Sequence, residues 1–105
     1  MSGEREVRVA IDAARTGGTA LRARWSDRAA GLGTKTTSTD VVLDADRASE
    51  AEVVRVLRSA FPGDAIVAEE GTDIGAGAVR RWYVDPLDGT VNYLYGIPHF
   101  AVAIA

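Results

Sequence analysis

Three acidic residues, Asp85, Asp88 and Glu69, set the chemistry this chain can attempt. Asp85 and Asp88 lie three apart in the string WYVDPLDGTVNY, residues 82–93. Trp82, Tyr83 and Val84 are aromatic or β-branched, the character of a strand, and such a strand would deliver Asp85 at its carboxyl end. Pro86 lacks a backbone donor and is expected to turn the chain, bringing Asp88 back beside Asp85. Adjacent carboxylates repel unless a cation lies between them, and oxygen-only ligation suits a hard ion such as Mg²⁺. Gly89 permits close backbone approach, and its N–H with that of Thr90 is placed to face an anion. A cation beside an anion-binding turn is the layout that phosphate chemistry requires.

The elements that must position these groups are legible from periodicity. Residues 65–68 are a continuous apolar run bounded by turn residues, which reads as a buried strand leading into Glu69 and Glu70. In residues 4–25, Val7, Ile11, Ala14, Gly18, Leu21 and Trp25 recur at four-three spacing, the stripe of an amphipathic helix. Gly17 and Gly18 interrupt it at about 1 kcal/mol each relative to alanine, so close packing against a neighbour is expected to compensate. A polar, glycine-bearing connector follows at residues 26–33. A second helix is expected over residues 44–60, with Asp44 as its cap and Val53, Val54, Leu57, Ala60 and Phe61 on its buried face. Residues 72–78 are glycine-rich and read as a surface loop without core. Residues 81–84 form the next strand, residues 89–94 a turn or one helical turn, and residues 100–105 a third strand.

Composition narrows the class. The 105 residues suffice for one domain with a modest core, and 47% hydrophobic with 26% charged residues is globular composition, against disorder. A net charge of −3 gives no reason to expect nucleic-acid or membrane partners. The absence of cysteine excludes thiolate chemistry and a disulfide framework, and fits a cytoplasmic protein. No stretch approaches the length of a membrane span, and the charged amino terminus is no secretory signal. Lys35 is the sole lysine, and the preference for arginine, alanine and glycine points to a GC-rich, bacterial coding sequence.

DPLDGTVNY, preceded by a strand and by Glu69 and Glu70, resembles the inositol monophosphatase family of Mg²⁺-dependent, lithium-sensitive phosphomonoesterases. The likeness extends along the chain in the family's order: KTTSTD at residues 35–40, then Asp44, Ala45 and Asp46; Ala68, Glu69, Glu70 and Gly71; and GIPHFAV at residues 96–102. It implies the amino-terminal part of a layered α-β-α-β-α sandwich, with two helices and part of a mostly antiparallel sheet. Family members are longer, and their carboxyl half supplies a further metal-binding aspartate. The chain also stops inside an apolar run, so residues 1–105 are expected to be a truncated amino-terminal portion.

The resemblance implies hydrolysis of a small phosphate monoester by metal-activated water. Glu69, Asp85, Asp88 and the carbonyl of Leu87 would ligate Mg²⁺. Glu69, Thr90 and Asp46 would act on the attacking water, the Thr90 hydroxyl being held by Asp46. Glu69, Leu87, Asp88, Gly89 and Thr90 would surround the phosphate, and Lys35 would lie near the acids as a structural cation. Inositol 1-phosphate is the default substrate, with histidinol phosphate, fructose 1,6-bisphosphate, nucleotide 3′-phosphates and aminosugar phosphates as the range among relatives. The full-length form is expected to be a homodimer.

Competing readings are weaker. Haloacid-dehalogenase phosphatases place their paired aspartates two apart, and here the spacing is three. An EF-hand from Asp44 fails because its sixth position is Ser49 and its twelfth Arg55. Asp44 reads as a cap, and His99, the only histidine, as a packed and hydrogen-bonded residue rather than a catalyst. The alternative from another class is a non-catalytic remnant, a metal-binding or interaction fragment that keeps half the site.

Overall fold

A computed structural model of the chain describes residues 3–34 and 41–105. The expectation placed on Lys35 and on the rest of KTTSTD lies outside the described residues. Two long helices, α1 (Glu4–Ala23) and α2 (Asp44–Ala60), cover one face of a four-stranded sheet. Its strands are β3 (Ala65–Ala68), β4 (Asp73–Ile74), β5 (Arg81–Asp88) and β6 (Ala101–Ile104), in the order β4-β3-β5-β6. β3 and β5 run parallel, whereas β4 on β3 and β6 on β5 are antiparallel. A small antiparallel pair, β1 (Gly33–Thr34) with β2 (Val41–Val42), leads into α2, and a short helix α3 (Thr90–Leu94) follows β5. The mixed sheet with helices on one side agrees with the layered α/β architecture expected from the sequence.

Alternation along the strands explains the layering. In β5, Trp82 and Val84 are buried while Arg81 and Tyr83 are exposed. Ile66 and Ala68 of β3 turn the same way, so this face meets Ala13 of α1 and Val53, Leu57 and Phe61 of α2. A fully buried side chain such as Leu57 contributes about 1.5–3 kcal/mol. A second cluster of Leu21, Leu43, Ala45, Leu87 and Tyr93 lies at the end of the sheet where α3 packs. There the Tyr93 hydroxyl donates to the Leu21 carbonyl at 2.6 Å, and the Tyr93 ring meets Trp25 and Phe100 edge-on. Burial pushes the Tyr93 phenol up from its ordinary pKa.

The stripe of α1 differs from its expected position. Ala13, Gly17 and Leu21 are buried, whereas Val7 and Ile11 are 59% and 46% exposed. The helix presents its smallest residues to α2, because that lets the backbones approach. A Cβ added at Gly17 would stand 2.7 Å from Val53 Cγ2 and 2.8 Å from Ser49 Oγ, whereas one at Gly18 meets nothing within 4 Å. Gly17 alone therefore answers the expected need for close packing.

Two further expectations are corrected. The glycine-rich segment after Gly71 contains β4, which pairs Asp73 with Val67 and Ile74 with Ile66. Pro86 does not turn the chain back. β5 continues through it to Asp88, and the extra length is absorbed as a register irregularity against β6 between Asp85 and Asp88. Proline is tolerated at such a bulge because no ladder donor is required there.

Candidate active site

The carboxyl ends of β3 and β5 lie side by side, with Ala68 in register with Val84. The next residue on β3 is Glu69, and its N–H donates to the Val84 carbonyl at 3.2 Å. This pairing sets Glu69 next to Asp85. Both line an open cleft of about 380 Å³ on the sheet face away from the helices, together with Val67, Tyr83 and Ala103. Asp85 is partly buried, and one of its oxygens accepts from the Leu87 N–H at 3.3 Å, which fixes the carboxylate against its own strand.

Asp88 ends β5, exposed, and pairs with Ala101 across the sheet. It borders a separate concavity with Gly89, Asn92 and His99. Gly89 has φ of +95°, and a Cβ there would stand 3.0 Å from the His99 carbonyl oxygen, so only glycine fits the junction between β5 and α3. His99 is exposed, and its carbonyl accepts from Asn92 Nδ2 at 2.9 Å. The packed histidine expected from the sequence is not found, because residues 97–99 precede β6 on the surface and never enter the sheet.

Thr90 connects this junction to α2. Its hydroxyl lies 3.0 Å from Asp46 Oδ1 and 3.0 Å from the Leu87 carbonyl. One proton faces two acceptors, and the carboxylate is the stronger. Asp46 is only 1% exposed, and its Oδ2 accepts from the Leu43 N–H at 2.8 Å. Asp46, not Asp44, therefore satisfies the backbone where α2 begins. Asp44 is half exposed and pairs with Arg47 at 3.0 Å.

Two residues that the sequence reading did not single out complete the arrangement. Ser49 Oγ donates to the Pro86 carbonyl at 2.7 Å, and Glu50 accepts from the Glu70 N–H at 2.7 Å and from the Thr72 hydroxyl at 2.7 Å. Both side chains are buried. A signal for them exists: carried toward the amino end, the apolar stripe of Val53 and Leu57 passes through Ser49, Glu50 and Asp46. Polar groups in line with a core stripe must find buried partners.

The donors are carboxylates and a backbone carbonyl, the ligand chemistry of a hard divalent cation. Glu69 and Asp85 fit such an ion, since adjacent strands bring them to one cleft. Among the described residues no three acidic or imidazole side chains are drawn together as a ready cage, and Asp88 borders a different concavity from the cleft of Glu69 and Asp85. Also among the described residues, no helix is long and apolar enough to cross a membrane.

Comparison with known proteins identifies the architecture. The profile of the inositol monophosphatase family matches residues 4–105. The Nus factor SuhB of Haemophilus influenzae is 41% identical over 98 residues, covering 92% of this chain and 37% of that protein. Among solved structures, the extragenic suppressor protein suhB of Bartonella henselae superposes with a TM-score of 0.88 at 36% identity, covering 97% of this chain and 40% of that one. The inositol monophosphatase of Anabaena gives 0.78 at 32% identity, covering 99% of this chain and 35% of its own. These relatives are bacterial, and the chain spans well under half of their length. On the profile match and on the likeness of fold, the chain belongs to the inositol monophosphatase family.

Proposed function

We propose that this chain forms the metal- and phosphate-binding portion of a Mg²⁺-dependent phosphomonoesterase, with inositol 1-phosphate as the first substrate to test. The observation that carries the reading is the placement of Glu69 and Asp85 side by side at parallel strand ends in one cleft. Glu69 and Asp85 would hold the ion, with the Leu87 carbonyl and Asp88 as the further ligands expected of the family. Bound Mg²⁺ supplies Lewis acidity toward the phosphoryl oxygens. Thr90, its hydroxyl hydrogen-bonded to Asp46, would keep its lone pairs for an incoming water, which it would orient together with Glu69. Gly89 and Thr90 would offer backbone N–H groups to the phosphate as charge develops. Lithium sensitivity, a cytoplasmic location and a homodimeric full-length form belong to the same reading.

The test is phosphate release from inositol 1-phosphate by a protein carrying this chain at full family length, with and without Mg²⁺. Release that depends on Mg²⁺ and is lost in Asp85→Asn supports the proposal. Release that is unchanged by Asp85→Asn refutes it. Because the chain spans 37% of the SuhB protein it matches, residues 1–105 alone are expected to release little phosphate.

A second reading draws on the name of the relatives. The Haemophilus influenzae relative is called a Nus factor, and a role as an interaction module would use the fold without its chemistry. The net charge of −3 favours a protein partner over nucleic acid for residues 1–105. Under this reading Asp85→Asn leaves partner binding intact.

A further inference from the structure

We infer that Glu50 is a positioning residue that holds the Glu69 carboxylate in its working direction; the inference rests on reading Glu69 as a cation ligand. Glu50 lies on α2, 20 and 22 residues before its partners, and is only 6% exposed. Its Oε1 accepts from the Glu70 N–H at 2.7 Å, and its Oε2 accepts from the Thr72 N–H at 3.2 Å and the Thr72 hydroxyl at 2.7 Å. Three donors thus converge on one buried carboxylate from a single turn.

Short elements and backbone bonds frame that turn. Its outer arm is the two-residue strand β4, and its closure is the pair of backbone bonds between Ala68 and Gly71 and between Ala68 and Thr72. The peptide that carries the Glu70 N–H also carries the Glu69 carbonyl. Anchoring it to α2 fixes the backbone on the carboxyl side of Glu69, while the bond from the Glu69 N–H to Val84 fixes the amino side. With both flanking peptides held, the Glu69 side chain leaves the backbone in one direction, toward the cleft it shares with Asp85. Charge-assisted bonds to a carboxylate are the strong kind, and three of them act on this one turn. Groups that orient a ligand without touching the ion commonly change metal affinity about 10- to 100-fold when removed.

The experiment uses the 105-residue chain and Mn²⁺ as the probe, a cation suited to the same oxygen donors and readable at weak affinity by paramagnetic broadening. Glu50→Gln keeps the size of the side chain and removes the charge that serves three donors. Glu52→Gln, on the same helix and paired with exposed Arg55, removes one charge without touching the turn. Thr72→Val removes one donor and keeps the Glu50 carboxylate, which provides a milder variant should Glu50→Gln unfold. Amide exchange at Glu70 and Thr72 and broadening at Glu69 and Asp85 are followed in each.

The expected result is that Glu50→Gln speeds exchange at both amides and weakens Mn²⁺ binding about 10- to 100-fold. Thr72→Val should do so to a smaller degree, and Glu52→Gln should do neither. Retained affinity once the amides have loosened overturns the role of Glu50 and leaves the cation reading standing. An equal loss of affinity in Glu52→Gln also overturns it, as the effect would then be general charge. Absence of saturable broadening at Glu69 and Asp85 in the unaltered chain overturns the cation reading and this inference together.

Discussion

Substituting alanine for each of the two adjacent glycines of α1 in turn separates helix propensity from helix packing. Gly17 and Gly18 sit in the same helical turn, so Ala gains the same intrinsic propensity at both, about 1 kcal/mol. Their surroundings differ. At Gly18 an added Cβ meets nothing within 4 Å, and the gain should appear undiminished as added stability. At Gly17 the same atom would stand 2.7 Å from Val53 Cγ2 and 2.8 Å from Ser49 Oγ, about 1 Å inside ordinary contact. Neither neighbour yields easily, since Val53 is fully buried and Ser49 is bonded to the Pro86 carbonyl. Overpacking of this kind costs about 1–3 kcal/mol. Because the propensity term is common, the difference between the variants isolates that packing cost. For a domain of this size it corresponds to a melting-temperature gap of roughly 4 °C or more, with Gly17→Ala the less stable. Thermal and urea unfolding of both variants would measure it. A Gly17→Ala protein that melts at or above Gly18→Ala would show that α1 and α2 are not packed at this point, and the placement of Ser49 and Glu50 would fall with it.

Other consequences are more local. Thr90→Val removes the hydroxyl between Asp46 and the β5–α3 junction, leaving a buried carboxylate oxygen with one bond fewer; a loss of about 1–3 kcal/mol is expected in urea unfolding, and in a full-length protein turnover should fall far more than substrate affinity. Tyr93→Phe deletes the donor to the Leu21 carbonyl but keeps the ring packing, and should cost only about 1 kcal/mol, because Arg24 N–H also serves that carbonyl. Gly89→Ala combines a φ of +95° with an approach to His99, and should destabilise by about 1–3 kcal/mol, with chemical-shift changes confined to residues near the junction. A Gly89→Ala protein as stable as the parent would refute the left-handed junction.

The sequence by itself determined most of the elements and supplied the oxygen donors that a hard cation would use. The continuous run of residues 65–68 is β3, and the span of residues 44–60 is α2, with Val53, Leu57 and Phe61 buried as their spacing requires. Both follow from local rules, since period and turn residues act within a few positions of the chain. The approach of Thr90 to Asp46, 44 residues apart, was anticipated from family likeness rather than from the residues themselves. Only the tertiary structure decided which face of α1 turns inward. Two stripes compete there, and the one with Ala13 and Gly17 wins although it is less hydrophobic, because close backbone approach is a property of the helix pair. The same holds for Pro86, which the chain alone reads as a turn and the β6 ladder accommodates as a bulge. Glu50 is the clearest case. On the sequence it is one of several acids in an amphipathic helix, and its partners at Glu70 and Thr72 lie on another element, reached only once α2 lies along the strand ends.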